Sequence, residues 1–132
     1  MKYYSQIYQL PFDAILKCIK KFELRTNTSY ETIDYSKIQK GDQIEFSVIA
    51  GPPFVDFTVI NNIRLLITIG RVYHFDSART LFKKKGFKWC SFNPESIDEA
   101  VDWIHQILEY EPCIKKHGIY ALEIVAFETY IV

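Results

Sequence analysis

The alternation of hydrophobic and polar positions predicts a chain built mainly from short β-strands. Successive side chains of a strand point to opposite faces, so a half-buried strand repeats with a period of two residues. The predicted strands are Tyr3–Tyr8, Lys20–Thr26, Gln43–Val48, Phe54–Ile60, Ile63–Phe75 and Tyr120–Val132. Asn61–Asn62 suits the tight turn of a hairpin. Ala50–Pro53 is a strong breaker, and Asn27–Lys37 reads as a polar loop.

Apolar residues at the helical spacing predict three short helices. These are Phe12–Ile19, Asp76–Lys85 and Ser96–Tyr110. Ser96 and Glu99 have the spacing of a capping box, Gly86 is expected to end the second helix, and Pro112 to end the third. Because the strands cluster before and after the helices, we predict an α+β fold with a half-open or closed β-barrel.

Composition favours one globular domain over residues 1–132. Of these 132 residues, 48% are hydrophobic and 16% aromatic, which is enough for a core at this size. The longest apolar candidate, Ile63–Tyr73, is interrupted by Arg64 and Arg71 and falls short of a membrane span. The segment Met1–Leu10 lacks the features of a signal peptide. We therefore expect a cytoplasmic protein that does not associate with membranes.

Charge is unevenly distributed along a chain whose formal net charge is zero. Residues 1–90 hold 14 of the 16 Lys and Arg residues but only 8 of the 16 Asp and Glu residues. A molecule polarised in this way can carry a basic face, which is compatible with a nucleic-acid partner. An acidic, solvated helix near the C-terminus is the alternative explanation.

The cysteines and histidines show neither a disulfide framework nor metal-ligand spacing. They are Cys18, Cys90, Cys113, His74, His105 and His117. We expect reduced thiols, no metal and no cofactor.

The best candidate for a working site is a charged cluster at the start of the second predicted strand. Glu23 and Arg25 are two residues apart and therefore face the same side, with Lys20 just before them. Arg25 can hold a phosphate or carboxylate through two hydrogen bonds. A partly desolvated Lys20 could have a lowered pKa and act as a base or nucleophile. The alternative is an ion pair that only fixes the strand.

The segment Cys18-x-Lys20-x-x-Glu23-x-Arg25 resembles the signature Gly-x-Lys-x-x-Glu-x-Arg of the ASCH domain family, a branch of the PUA-like superfamily. Further segments resemble the family in the same order, over roughly residues 3–127. They are Ile38–Phe46, Val72–Phe75, Ser96–Ala100 and His117–Ile124. Cys18 replaces the glycine, which predicts a turn compatible with negative φ.

This resemblance implies a PUA-like mixed β-barrel flanked by about three short helices. Residues 50–63 look longer than the usual connection and are expected to add a hairpin, which either walls the cleft or contacts a partner. The resemblance also implies that Lys20, Glu23 and Arg25 line a cleft that binds RNA or a nucleotide-like ligand. The oligomeric state is not predicted.

Two further residues are candidates for the walls of this cleft. Arg71 and Tyr73 alternate with Phe75 along one strand, and a basic residue beside aromatic rings can clamp a base. Core packing of the rings with Arg71 at the rim is the alternative. A group of lysines around Gly86 either touches phosphates or is a solvated helix end. It comprises Lys83, Lys84, Lys85 and Lys88.

Two other classes of function, an enzyme and an adaptor, stay open at this point. Small ASCH proteins are similar to amidohydrolases that deacetylate acetylcytidine, using the motif lysine, a threonine where this chain has Glu23, and a distant glutamate for which Glu95 is the one candidate. Some ASCH proteins cleave RNA, in which case Lys20, Glu23 and Arg25 would be acid, base and transition-state clamp. The third reading is a protein-interaction adaptor that uses the 50–63 hairpin and the acidic final helix.

Overall fold

A computed structural model describes residues 1–51, 53–54 and 56–132. The strands in this part of the chain are β1 (Lys2–Tyr8), β2 (Phe22–Arg25), β3 (Gln43–Ile49), β4 (Val59–Phe75) and β5 (Ile119–Ile131). The α-helices described there are α1 (Gln9–Leu16), α2 (Ala78–Lys85), α3 (Phe87–Cys90), α4 (Ile97–His105) and α5 (Tyr110–His117). None of the described helices combines the length and the apolar character needed to cross a membrane.

The five strands form one mixed sheet in the order β1-β3-β4-β5-β2. β1 and β3 run parallel, and the other neighbours are antiparallel. The register between β4 and β5 shifts on both sides of Ile69, and such irregularities increase the local twist and bend of a sheet. The sheet curls into half of a barrel, so the predicted α+β class is confirmed and the barrel is a partial one.

Two large apolar clusters hold the sheet and helices together, and a third, smaller one contains Tyr8, Ile49 and Phe54. The first fills the inside of the curl and includes Phe12 of α1, Phe46 of β3 and Ile67 of β4. The second lies between the other end of the sheet and the helices, and includes Phe82 of α2 and Ile104 of α4. Between these clusters, the short strand β2 carries the predicted charged residues.

The helices differ from the prediction in number and in their ends. The predicted helix Ser96–Tyr110 ends at His105, and α5 begins at Tyr110 as a separate helix. Pro112 therefore lies in the first turn of α5 and does not end a helix. The N–H groups of a first turn have no partner within the helix, so a proline is tolerated there. The predicted N-cap holds, because the Ser96 hydroxyl accepts a hydrogen bond from the Glu99 N–H.

The hairpin predicted at Asn61–Asn62 is wrong. Both residues lie inside the continuous strand β4, and the Asn62 carbonyl accepts a hydrogen bond from the Val132 N–H at 2.9 Å. Pairing with a distant part of the chain therefore overrides the local turn preference. β3 and β4 themselves form a hairpin in which Ile49 pairs with Val59. Pro52 of the predicted breaker and Val55 of the predicted strand lie outside the described residues.

Candidate functional site

The turn after α1 sets the position of Lys20. The Ile19 N–H donates to the Ala14 carbonyl at 2.9 Å and the Cys18 N–H donates to the Ile15 carbonyl at 3.0 Å, which is the Schellman pattern of a helix end. Cys18 adopts φ = +59°. The predicted negative φ is therefore wrong: the turn keeps the left-handed conformation that favours glycine, although a cysteine occupies it. A further bond from the Lys20 N–H to the Ala14 carbonyl, at 3.1 Å, directs the chain into β2.

Lys20, Glu23 and Arg25 are buried, with 6%, 4% and 8% of their surface exposed. The Lys20 ammonium lies 3.4 Å from Oε1 of Glu23 and donates to the Cys90 carbonyl at 2.8 Å. Arg25 donates to Oε2 of Glu23 from Nε at 3.0 Å and from Nη2 at 2.6 Å. One carboxylate thus bridges two cations, and the structure brings the three predicted residues together.

A second carboxylate, Glu31, completes this cluster. Oε1 of Glu31 lies 3.7 Å from Nη1 of Arg25 and accepts a hydrogen bond from the Tyr35 hydroxyl at 2.9 Å. The Ser5 hydroxyl donates to the other oxygen of Glu31. Arg25 also donates to Ser5 at 3.2 Å and to the Gln6 carbonyl at 2.8 Å. The Arg25 guanidinium therefore donates four hydrogen bonds to protein groups and forms a longer ion pair with Glu31.

Two cations and two carboxylates make the cluster neutral overall. Burial lowers the pKa of Lys20, against the opposing charge of Glu23. Burial alone would raise the pKa of Glu23, but the neighbouring charges of Arg25 and Lys20 hold it below its ordinary value.

A cavity of about 590 Å³ opens beside the cluster. Lys20, Glu23, Arg25 and Glu31 line one side of it, which we call the ionic floor. Aromatic rings line much of the remainder, and we call them the aromatic walls. They are Tyr4, Tyr8, Tyr30, Phe54, Phe57, Phe82, Phe92, Trp103 and Tyr110. The rings of Phe92 and Trp103 stack at 4.5 Å, and those of Tyr30 and Phe57 lie 4.8 Å apart.

The connection between β3 and β4 contributes to these walls. Phe54 packs edge-on against Tyr8, with ring centres 4.9 Å apart, and Phe57 contacts Tyr30. Both phenylalanines line the cavity. This connection thus forms part of the cavity wall. Walling the cleft was one of the two roles that the sequence left open for residues 50–63, and contact with a partner was the other.

Arg71 and Tyr73, the two further candidates for the cleft walls, lie away from this cavity. Neither occurs among the described residues that line the cavity. The Tyr73 ring packs against the second apolar cluster, with the Lys85 ammonium 3.2 Å from its centre and Phe22 beside it. Arg71 is exposed, and its N–H donates to Glu123. Their positions agree with the alternative prediction, in which the aromatic rings pack in the core and Arg71 lies at its rim.

Sequence reasoning missed Glu31 and most of the aromatic walls. Glu31 lies in the polar loop before Tyr35, where no periodic pattern marks it. Glu95, the sequence-based candidate for the distant glutamate of an amidohydrolase, is exposed and is not among the described residues that line the cavity. Aromatic residues outside the predicted strands and helices, such as Tyr30 in the polar loop and Phe92, were the available signal, because large rings there need a place to be buried.

Two solved structures are similar to this chain. One is the crystal structure of hypothetical protein PH0355, with a TM-score of 0.70 and 22% identity over 94% of this chain and 97% of that chain. The other is the solution NMR structure of protein PF0455 from Pyrococcus furiosus, with a TM-score of 0.60 and 21% identity over 94% and 96%. The likeness concerns the fold alone. Neither a protein-family model nor a curated protein matches the sequence.

Proposed function

We propose that this chain is a PUA-like domain of the ASCH type that binds a nucleobase in the cavity, carried by a nucleoside, a nucleotide or an unpaired residue of RNA. The observation that carries the proposal is the pairing of a buried ionic floor with aromatic walls around one space. Planar heterocycles need both stacking faces and hydrogen-bonding partners along an edge. The cavity offers the two kinds of group side by side.

The volume and lining suit a small ligand. Ligand sites in proteins usually enclose about 300–1,000 Å³ and combine apolar walls with a few fixed polar groups, and this cavity holds about 590 Å³. Stacking of a base on an aromatic side chain contributes about 1–3 kcal/mol. Trp103 and Tyr30 are among the lining rings that can provide this stacking.

The neutrality of the ionic floor favours the base over the phosphate as the group recognised. Lys20 and Arg25 are the two Lys or Arg residues among the described lining residues, and both are paired with Glu23. A phosphate placed against them would bring negative charge next to the Glu23 carboxylate, and the floor has no unbalanced positive charge to offset it. A base edge can instead accept from the Lys20 ammonium and donate to Glu23 or Glu31 without breaking the pairs. This refines the sequence-based expectation that Arg25 binds a phosphate.

The resemblance to ASCH domains supports the same proposal. Three of the four signature positions are present as Lys20, Glu23 and Arg25, and all three line the cavity. The half-barrel sheet is compatible with a PUA-like fold. In this proposal, the signature residues Lys20, Glu23 and Arg25 provide the polar groups that meet the edge of the bound base.

Intrinsic fluorescence provides the test. The chain has two tryptophans, and the variant Trp89→Phe leaves only Trp103 of the cavity. Adding uridine, cytidine, adenosine or guanosine should change Trp103 emission saturably for at least one nucleoside. The matched variant Trp103→Phe retains the exposed Trp89, which does not line the cavity, and should show no such change. The absence of a saturable response in both variants would refute the proposal.

A second candidate function is hydrolysis of an acyl group on the bound base. The observation in its favour is the buried Lys20, whose lowered pKa brings the neutral amine within closer reach of neutral pH. In such a reaction water adds to the acyl carbon and gives a proton to the Lys20 amine. That proton then passes to the leaving nitrogen as the C–N bond breaks.

Incubation with acetylcytidine tests this second function. Release of acetate and cytidine by the wild type, lost in Lys20→Ala and retained in the exposed-site control Lys21→Ala, would establish it. Binding of the nucleoside without release of acetate would limit the site to recognition.

A further inference from the structure

The end of α2 and the short helix α3 carry a basic surface outside the cavity, which we call the lysine surface. It consists of Lys83, Lys84, Lys85, Lys88 and Trp89. Three of its lysines are exposed, Lys85 is half-buried, and Trp89 is 46% exposed. The sequence has no Asp or Glu between Asp76 and Glu95. None of the four lysines forms an ion pair with a described residue, so their positive charge is not balanced locally.

Aromatic rings lie among these cations. The Lys85 ammonium lies 3.2 Å from the centre of the Tyr73 ring and 5.8 Å from that of Phe22. The Lys21 ammonium lies 4.2 Å from the centre of the Trp89 ring, and the Lys21 N–H donates to the Trp89 carbonyl at 2.7 Å. The lysine surface therefore joins unbalanced charge to an accessible indole ring.

The helix dipole explains only part of this arrangement. Lysines in the last turn of a helix interact favourably with its dipole, which accounts for the three lysines that end α2. The dipole of α2 does not account for Lys88 in α3 or for the exposed Trp89 beside it. Proteins bind single-stranded nucleic acids with this combination, because the cations meet phosphates and the ring stacks on a base. An acidic polypeptide would match the charge alone.

The helix α3 connects the lysine surface to the cavity. Trp89 is exposed, whereas the next residue, Cys90, is buried and lines the cavity with Ser91 and Phe92. The Cys90 carbonyl accepts the hydrogen bond of Lys20 in the ionic floor. None of the four surface lysines is among the described lining residues, so a nucleotide confined to the cavity does not contact them. A ligand must extend beyond the cavity to use both sites.

We propose that the lysine surface binds the phosphates of single-stranded RNA and that Trp89 stacks on one of its bases. This inference rests on the proposed function where it names the ligand of the cavity. Of a nucleoside, a nucleotide and an unpaired residue of RNA, it selects the last. The neutral ionic floor then recognises the base, and the lysine surface attracts the backbone on either side of it.

Fluorescence anisotropy with a labelled oligouridylate of about ten nucleotides tests the surface. Each phosphate of a single strand that is neutralised adds about −0.7 to the slope of log K against log salt. The double variant Lys84→Ala/Lys88→Ala should therefore make the wild-type slope shallower by about 1.4 and lower the affinity roughly 10-fold at about 0.1 M salt. The charge-matched control Lys37→Ala/Lys40→Ala removes two exposed lysines outside the surface and should leave the slope nearly unchanged.

The variant Trp89→Leu tests the stacking separately from the charge. It should weaken oligouridylate binding roughly 5-fold, the effect of losing one stacked base, and keep the salt slope of the wild type. Uridine binding, measured by titration calorimetry, should be the same in all these variants, because none of the substituted residues lines the cavity. Circular dichroism should show that each variant is folded, since the substituted side chains are exposed.

The outcomes separate this inference from the proposed function. If the wild type binds uridine but binds the oligouridylate no more tightly, the lysine surface has no such role and the proposed function stands. If the surface variants lose no more affinity than the control, or if polyglutamate of matching charge competes as well as the oligouridylate, the inference is refuted. If the oligouridylate binds through the lysine surface and no nucleoside binds, the proposed function fails and the RNA-binding surface stands.

Discussion

Arg25 donates two hydrogen bonds to a single oxygen of Glu23, from Nε at 3.0 Å and from Nη2 at 2.6 Å, while the other oxygen of Glu23 lies 3.4 Å from the Lys20 ammonium. Glu23 is therefore the centre of the ionic floor. Among the described residues its carboxylate is the one counter-charge beside Lys20, and it shares Arg25 with Glu31. The effect of Glu23 on stability, and the pH dependence of that effect, follow from this arrangement.

Replacing Glu23 by glutamine should destabilise the protein strongly. Removing one partner of a buried ion pair typically costs about 3–5 kcal/mol, because the remaining charge stays desolvated. Urea denaturation of Glu23→Gln and wild type measures the difference in the free energy of unfolding. Glu45→Gln is the matched control, since Glu45 pairs with the exposed Lys2 at 3.0 Å, and it should cost less than about 1 kcal/mol. Equal losses in the two variants would contradict the central role of Glu23.

The stabilisation by Glu23 should disappear in acid. Its folded pKa lies below its ordinary value because of Arg25 and Lys20, against the opposing effect of burial, whereas in the unfolded chain it returns to about 4.3. Between these values the unfolded chain binds a proton that the folded protein does not, so stability falls with falling pH. The difference in free energy of unfolding between wild type and Glu23→Gln should have its full value above about pH 5 and become smaller below about pH 4. A difference that does not vary with pH would contradict this.

Cys18→Gly should stabilise the protein. Cys18 holds φ = +59° in the helix-terminating turn, and the left-handed conformation costs a residue with a Cβ about 1–2 kcal/mol, part of which is offset by the greater freedom of glycine in the unfolded chain. We expect a net gain of about 1 kcal/mol by urea denaturation. Cys18→Ala keeps the Cβ and should show no such gain. If alanine and glycine stabilise equally, removal of the thiol and not the backbone conformation is responsible.

Gly51→Ala should disturb the cavity through Tyr8. The added methyl group would lie 2.5 Å from Cδ1 of the Tyr8 ring, so the ring has to move, at a cost of about 1–3 kcal/mol in stability. A double-mutant cycle with Tyr8→Ala checks the mechanism, since contacting residues are coupled. In the Tyr8→Ala background, Gly51→Ala should cost much less. Additive losses would show that the effect of Gly51 does not pass through Tyr8.

The sequence predicted the elements that depend on local pattern. The alternation in β2 placed Glu23 and Arg25 on one face, and the structure shows them so, because a strand keeps its period whatever it pairs with. The turn at Asn61–Asn62 was wrong because β5 supplies a partner that no local pattern reveals. Glu31 was missed because no periodic pattern marks the loop that carries it, and its contact with Ser5 of β1 spans 26 residues of sequence.

The central claim is that the cavity recognises a base through a neutral floor, and the salt dependence of nucleotide binding tests it most directly. Titration calorimetry of the wild type with uridine 5′-monophosphate at low and high salt should give nearly equal dissociation constants, because the phosphate makes no charge contact that salt would screen. Inorganic phosphate should not compete. Binding that weakens steeply with salt and is displaced by phosphate, or no binding of any nucleoside, would contradict the account.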